Sequence, residues 1–210
     1  MTDVKICGLS TPQTVRVAAD AGARFAGFVF YAPSPRNVSP DIAASLSRTL
    51  PTGVRSVGLF VNADNAFLEA VLGAVPLDMI QLHGEEPPPR VAEIKARFNM
   101  PVMKALRVAD TRDVAAARDY EDVADWLLFD AKVDGDLPGG TGHSFDWTIL
   151  AGLTFRKPWM LGGGLHAGNI GAALSVLKPT AVDVSGGVES TRGVKDEGKI
   201  REFIAAVKRA

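Results

Sequence analysis

Short apolar runs recur along the chain and alternate with segments whose apolar positions follow a helical period. The runs are rich in β-branched and aromatic residues, and their length suits buried strands. They occupy residues 4–7, 25–30, 56–61, 79–82, 102–106, 126–130, 159–161 and 181–184. The pattern therefore predicts eight strands.

A segment with helical periodicity follows each run. These segments occupy residues 12–21, 41–50, 65–72, 88–97, 111–120, 145–150, 167–177 and 197–208. Polar and proline start signals precede some of them, as in STP at 10–12 and SPD at 39–41. The weakest elements are the short helix at 145–150 and the seventh strand, which begins directly after Pro158.

Strand–helix alternation predicts right-handed crossovers and a parallel sheet. Eight units in a row favour a closed (β/α)8 TIM barrel with eight parallel strands over an open sheet. No linker or shift in composition divides the chain, so residues 1–210 are predicted to form one domain. Residues 131–144 are the longest stretch without periodicity, which is typical of a functional lid or of a surface connection.

Two glycine clusters directly follow the last two predicted strands. They read LGGGL at 161–165 and VSGGV at 184–188. Glycine lets the backbone approach a ligand closely, and consecutive N–H groups can then converge on an anion. Either cluster alone is explained by a tight turn. Together, after strands seven and eight of a barrel, they predict a site for a substrate phosphate.

Polar side chains lie on one face of several predicted strands. Strand side chains alternate between two faces, and the all-apolar face suits the layer against the helices. The polar face should therefore point into the barrel. Four such residues end their strands on the rim where barrel enzymes gather catalytic groups: Cys7, His83, Asp130 and Asp183. A core cysteine, a structural histidine or a helix cap would explain each one alone, but four on one rim predict an active site.

Composition narrows the range of partners. With 210 residues, 47% of them hydrophobic, and a net charge of −1, the chain should fold around a sizeable core and should bind neither nucleic acid nor an anionic membrane. One cysteine and three histidines supply neither a zinc cluster nor an intrachain disulfide. The first residues lack a signal-peptide pattern, and no apolar run approaches the ~18 residues of a membrane span. We therefore expect a soluble cytoplasmic protein.

A thiol and a carboxyl on opposite sides of a barrel mouth can serve as base and acid. Cys7 would be the base, with Lys5 on the same strand face favouring the thiolate, and Asp130 would be the acid. Metal ligation fits poorly, since two Asp, one His and one Cys mix hard and soft ligands. A Cys–His nucleophile is disfavoured because His83 lies three strands away. These residues predict proton transfer on a phosphorylated sugar without a metal or cofactor.

An ordered set of short motifs extends from the first strand to residues 195–196. The motifs are KICG (5–8), GFVF (27–30), SPR (34–36), VGLFVN (57–62), QLHG (81–84), KA (104–105), LFD (128–130), GGTG (139–142), LGGGL (161–165) and DVSGGVE (183–189). In these motifs and their order, the sequence resembles the phosphoribosylanthranilate isomerases of tryptophan biosynthesis. One motif alone would be weak evidence, whereas the ordered set is specific.

The resemblance implies a cofactor-independent aldose–ketose isomerase that carries out an Amadori rearrangement. Its substrate, N-(5-phosphoribosyl)anthranilate, would become 1-(2-carboxyphenylamino)-1-deoxyribulose 5-phosphate. Asp130 would protonate the furanose ring oxygen, and Cys7 would remove the proton from sugar C2. A small phosphosugar is then the expected partner, and the protein is expected to be a monomer or a homodimer.

The resemblance also implies the substrate contacts. Arg36 matches the family's arginine near the anthranilate carboxylate, where a guanidinium fork can bind bidentately. His83 and Asp183 match positions in the substrate pocket. The phosphate would lie against the backbone of Gly163, Gly164, Ser185, Gly186 and Gly187. Many relatives carry a serine at the position of Gly186, so a backbone donor is kept there and a hydroxyl is lost.

Two alternatives remain open. One is another phosphosugar isomerase or epimerase, or a synthase of the indole-glycerol-phosphate type. An epimerase would need more strand-end metal ligands. The synthase would need strand-end lysine and glutamates, of which only Lys104 is evident. The other alternative is a non-catalytic phosphosugar-binding barrel, which would be expected to have lost Cys7 or Asp130.

Overall fold

Eight parallel strands close into a barrel in sequence order, with the last strand pairing to the first. The computed structural model describes residues 2–131 and 146–210. Every predicted strand is confirmed to within two residues at either end. The strands are β1 (Asp3–Cys7), β2 (Phe25–Phe30), β3 (Arg55–Phe60), β4 (Met79–Leu82), β5 (Val102–Val108), β6 (Trp126–Ala131), β7 (Trp159–Leu161) and β8 (Ala181–Val184).

Helices connect most of the strands and surround the barrel. They are α1 (Pro12–Ala21), α2 (Pro40–Ser47), α3 (Asn65–Ala74), α4 (Pro88–Phe98), α5 (Thr111–Ala115), α6 (Ile170–Val176) and α7 (Glu197–Arg209). The proline start signals are confirmed, because Thr11 and Ser39 each accept a hydrogen bond from the backbone N–H three residues on. These two helices therefore begin where the sequence places polar caps.

Two predicted helices contain 3₁₀ structure in place of part or all of an α-helix. The fifth ends at Ala115 and continues as a 3₁₀ helix, Ala116–Tyr120. The short helix predicted at 145–150 is, in its described part, a single 3₁₀ turn, Trp147–Leu150. Asp146 accepts hydrogen bonds from both N and Oγ1 of Thr148, and this local bonding closes a tight turn rather than starting an α-helix.

Apolar side chains form two concentric layers. The larger layer lies between the strands and the helices and includes Phe28, Phe129 and Phe203. The smaller layer fills the barrel itself with side chains from all strands except β1. Its members are Phe25, Val57, Met79, Met103, Ala105, Leu128, Met160 and Ala181. This inner layer forms a plug inside the barrel. Polar side chains above the plug are consequently held at the carboxyl-terminal rim.

An antiparallel ribbon after β8 was not predicted. A 3₁₀ turn, Gly186–Val188, leads into β9 (Glu189–Thr191), which pairs with β10 (Val194–Lys195). The two strands together have only five residues, too few for a period-two pattern to be read. The ribbon folds charged side chains back toward the rim.

The predicted lid at 131–144 lies outside the described residues, apart from Ala131 at the end of β6. Among the helices of the described part, none is long and apolar enough to cross a lipid bilayer.

Candidate active site

All ten residues predicted for the site line one pocket at the carboxyl ends of the strands. The pocket has about 620 Å³ of open space including its mouth. Its lining includes Cys7, Arg36, His83, Asp130, Gly163, Gly164, Asp183, Ser185, Gly186 and Gly187. In the described part of the chain, no group of three or more His, Cys, Asp or Glu side chains is arranged to hold a metal ion. The predicted rim is therefore one continuous surface, while the role of each residue remains a prediction.

Cys7 lies beside a buried ion pair at the end of β1. Lys5 Nζ donates to Asp183 Oδ1 at 2.9 Å, a contact made possible by the pairing of β1 with β8. A Cβ at Gly27 on β2 would lie 3.2 Å from Lys5 Nζ and 3.3 Å from Cys7 Sγ. The missing side chain at Gly27 thus lets the ammonium and the thiol lie close together.

Burial and neighbouring charges shift the pKa values of Cys7 and Lys5 in opposite directions. Burial raises the pKa of the Cys7 thiol, and the Lys5 ammonium opposes that effect without cancelling it. Burial by itself lowers the pKa of Lys5, but the neighbouring Asp183 and Cys7 outweigh it, so the pKa of Lys5 lies above its ordinary value. Lys5 is consequently a permanent cation next to the thiol.

Asp130 is linked to β4 by a chain of buried hydrogen bonds. Its Oδ2 lies 3.1 Å from His83 Nε2, and His83 Nδ1 lies 3.0 Å from Gln81 Nε2. The other carboxyl oxygen, Oδ1, accepts a hydrogen bond from the Ala131 N–H at 2.9 Å. The carboxyl group is therefore held from two sides, with its position fixed at the end of β6.

Arg36 meets a carboxylate of its own chain. Its Nε and Nη2 donate to the two carboxylate oxygens of Glu189 at 2.7 and 2.9 Å. Lys195 Nζ donates to the same Glu189 at 2.7 Å. The Nε–Nη2 fork is therefore engaged by Glu189, so bidentate recognition of a substrate carboxylate would have to use another edge of the guanidinium.

The sequence interpretation missed the roles of Glu189 and Lys195. Glu189 is buried, yet Arg36 and Lys195 lower its pKa to about 2 against the opposing effect of burial. Lys195 also donates to the backbone oxygen of Ser185 at 3.0 Å. The available signal was the position of Glu189 directly after the glycine cluster, but its partners become visible only through the ribbon.

The glycine loops have the backbone geometry expected of an anion site. Gly163 and Gly164 have φ of 81° and 65°, a region that suits glycine. At Gly187, a Cβ would overlap the carbonyl oxygen of Leu165, so the backbone of the second loop packs directly against the end of the first cluster. Ser185 Oγ donates to the Cys7 carbonyl at 3.1 Å, which ties the second loop to β1.

A second buried ion pair supports the loop after β4. Lys104 Nζ donates to Glu86 Oε2 at 2.8 Å and to the Gly84 carbonyl at 2.7 Å. Glu86 in turn accepts from the backbone N–H groups of Asn62 and Gly84. Lys104 is not part of the pocket lining, and it holds the loop that follows His83. This placement argues against Lys104 as a catalytic lysine of the synthase type.

Comparison with known proteins decides the family. The family model described as N-(5'phosphoribosyl)anthranilate (PRA) isomerase matches residues 4–206. The chain belongs to the phosphoribosylanthranilate isomerase family. The family resemblance inferred from the motifs is thereby confirmed.

Individual relatives of this isomerase family match along nearly the whole chain. The N-(5'-phosphoribosyl)anthranilate isomerase of Paracoccus denitrificans (strain Pd 1222) is 56% identical over 204 residues, covering 96% of this chain and 95% of that protein. The crystal structure of the Thermotoga maritima isomerase has a TM-score of 0.91 at 38% identity, with full coverage of both chains. A further isomerase structure, with reduced 1-(o-carboxyphenylamino)-1-deoxyribulose 5-phosphate bound, has a TM-score of 0.87 at 36% identity over the full length of both chains.

Proposed function

We propose that this chain converts N-(5-phosphoribosyl)anthranilate into 1-(2-carboxyphenylamino)-1-deoxyribulose 5-phosphate in tryptophan biosynthesis. The observation that carries the proposal is a single pocket lined by Cys7, Asp130 and both glycine loops, in a chain that matches the isomerase family over residues 4–206. The reaction is an intramolecular redox isomerisation, so it consumes no cofactor. We further propose that the protein acts in the cytoplasm and that it is a monomer or a homodimer.

Asp130 acts as the general acid in the first step. It gives a proton to the furanose ring oxygen, and the bond between that oxygen and C1 breaks. The lone pair of the anthranilate nitrogen forms the C1=N bond of the resulting iminium ion. The Ala131 N–H donates to the carboxyl group and His83 Nε2 lies 3.1 Å from it; in its Nε2–H form, His83 also stabilises the carboxylate that remains.

Cys7 acts as the general base in the second step. Its thiolate removes the proton from C2, and the C–H electron pair forms a C1=C2 bond that neutralises the iminium nitrogen. The enolamine then gains a proton at C1 and loses one from the C2 hydroxyl, which yields the ketone. The Lys5 ammonium stabilises the thiolate form, and the positively charged iminium makes the C2 proton acidic enough for such a base.

The two ends of the substrate are held by different loops of the rim. The phosphate binds the backbone N–H groups of the two glycine loops, 163–164 and 185–187, and Gly186 offers only its backbone there. The anthranilate carboxylate pairs with Arg36, whose guanidinium is oriented by Glu189. His83 and Asp183 border the sugar between them.

Substrate turnover tests the proposal directly. Purified protein is incubated with phosphoribosylanthranilate, and the loss of substrate fluorescence is followed without added metal or nucleotide. Conversion to the ketose product is the expected result. Tight binding without turnover would instead favour a phosphosugar-binding barrel, and conversion only after metal addition would favour an epimerase-like mechanism.

A further inference from the structure

Gln81 is a polar residue inside an apolar barrel. It is fully buried and belongs to β4, two residues before His83, so both side chains point inward. The plug just below the rim is formed by residues such as Met79, Met103 and Leu128. A methionine would match the size and surroundings of this position. The amide therefore needs an explanation other than filling space.

The hydrogen bonds of the amide have a fixed direction. An amide nitrogen only donates, so the 3.0 Å contact between Gln81 Nε2 and His83 Nδ1 requires Nδ1 to accept. A neutral imidazole carries one proton, which must then be on Nε2. That nitrogen lies 3.1 Å from Asp130 Oδ2. With Gln81 donating to Nδ1, the His83 Nε2–H donates to Asp130 Oδ2.

The other end of the amide contributes nothing to the fold. Oε1 of Gln81 is one of two buried side-chain polar atoms without a hydrogen-bond partner in the described part of the chain. A buried oxygen of this kind is destabilising. The contact with His83 is the hydrogen bond that the Gln81 side chain makes, so the residue's effect passes through that imidazole.

We propose that Gln81 is a positioning residue that fixes the tautomer of His83 for the acid step at Asp130. With the proton held on Nε2, His83 stabilises the carboxylate that forms as Asp130 gives its own proton to the ring oxygen. The imidazole proton stays on Nε2 throughout. Without Gln81, His83 could adopt the Nδ1–H form and accept the acidic proton of Asp130, which would divert that proton from the substrate. The inference rests on the proposed function of Asp130.

Replacement of Gln81 by methionine separates this role from a structural one. In Gln81→Met, kcat should fall about ten-fold, the cost of losing one hydrogen bond to a charged group, while KM changes by less than about two-fold. The melting temperature should be unchanged or higher, because an unpaired buried oxygen is removed. Met79→Leu, on the same strand and also inside the barrel, is the matched control and should keep kcat and KM. Full activity of Gln81→Met would overturn the inference.

Nitrogen-15 NMR of the imidazoles gives a second readout that needs no turnover. The chain has three histidines, and the His83→Asn spectrum identifies the signal of His83. The wild-type protein should show His83 as the Nε2–H tautomer, and Gln81→Met should show an added Nδ1–H population. A wild-type Nδ1–H form, or an unchanged tautomer in the variant, would refute the role of Gln81. The proposed acid role of Asp130 is tested separately: if it is wrong, Asp130→Asn will turn over substrate at the normal rate.

Discussion

At the scale of single residues, the two proposed proton-transfer groups are buried in different surroundings. Cys7 lies over Gly27 beside the Lys5–Asp183 ion pair, whereas Asp130 contacts His83 and the backbone of Ala131. Charged neighbours therefore shift the pKa of the Cys7 thiol, whereas hydrogen bonds hold the Asp130 carboxyl group in position. Substitution should affect the two groups in different ways.

Cys7 should give the reaction a distinctive pH dependence. Because burial raises the pKa of its thiol above the ordinary value, kcat should increase as pH rises through the alkaline range. In Cys7→Ser, kcat should fall at least about 100-fold and that increase should disappear, because a hydroxyl does not ionise there. Steady-state kinetics across pH check both effects. A Cys7→Ser enzyme that kept the wild-type profile would exclude the thiolate.

Asp130→Asn should separate binding from chemistry. The amide keeps the shape of the side chain but has no acidic proton, so kcat should fall by about 10²–10⁴-fold while KM stays nearly constant. Single-turnover kinetics with phosphoribosylanthranilate measure the chemical step directly. Wild-type rates would remove Asp130 from the mechanism.

At the scale of elements, the β9–β10 ribbon connects the two ends of the proposed substrate site. It carries Glu189 and Lys195, which together reach Arg36 on one side and Ser185 on the other. Its pairing is short, and its charged side chains are buried against the rim. The ribbon acts as a brace between the arginine and the second glycine loop.

Glu189→Gln should weaken both the fold and substrate binding. Removing one partner of a buried ion pair costs about 3 kcal/mol, and KM should rise because Arg36 loses its orienting carboxylate. The pKa of Glu189 is lowered from 4.5 to about 2 in the folded chain. The stabilisation that ionised Glu189 gives to the fold is therefore fully present above its unfolded pKa of 4.5 and is lost as pH falls toward 2.

Urea denaturation of wild type and Glu189→Gln at neutral and acidic pH checks this sign. The difference in unfolding free energy between the two proteins should be large at neutral pH and should shrink as the solution is acidified through that window. A difference that is constant with pH would contradict the assignment of the charge to Glu189.

The glycine loops predict a contrast between two Gly→Ala substitutions. At Gly187 a Cβ would overlap the Leu165 carbonyl, so Gly187→Ala should displace the second loop and raise KM about ten-fold through a lost phosphate contact. Gly171 in α6 has open space around it, and Gly171→Ala should leave KM unchanged while stabilising the helix by up to about 1 kcal/mol. Kinetics and thermal melting of the pair provide the measurement. Equal KM values would argue against phosphate binding at this loop.

At the scale of the whole molecule, closure of the barrel brings distant parts of the chain together. The pairing of β1 with β8 joins Lys5 to Asp183. Helix α7 packs against β1 and the Gly186–Val188 turn, and its Phe203 is fully buried in the outer core. The site therefore depends on the final helix although that helix adds no side chain to the pocket.

Phe203→Ala should destabilise the protein by about 3–5 kcal/mol, because a cavity forms in the outer core. Phe67→Ala is the control, since Phe67 is 44% exposed and touches Phe60 only edge-on; its cost should be about 1 kcal/mol. Chemical denaturation of the two variants gives the comparison. A similar loss of stability in both variants would contradict the burial of Phe203 in the outer core.

The local pattern of the sequence was sufficient to predict the strands and the inward rim residues. Strand alternation assigns each side chain to a face without knowledge of its neighbours, which is why Cys7, His83, Asp130 and Asp183 could be placed on the rim, where they line the pocket. Gly163 and Gly187, which also line the pocket, could be picked out because each lies within a glycine cluster. The predicted helix boundaries differ from the observed ones where local hydrogen bonds close a tight turn, as at Asp146.

What only the tertiary structure decided is which groups touch. Arg36 and Glu189 are 153 positions apart, and no periodicity connects them; barrel closure and the ribbon do. The same holds for the direction of the Gln81–His83–Asp130 chain, since each residue could bond differently in another packing. The sequence thus determined the eightfold strand–helix order and the chemistry available at its rim, because these follow from local spacing. Packing of the closed barrel determined the partners, because charge pairing and burial depend on distances between segments far apart in the chain.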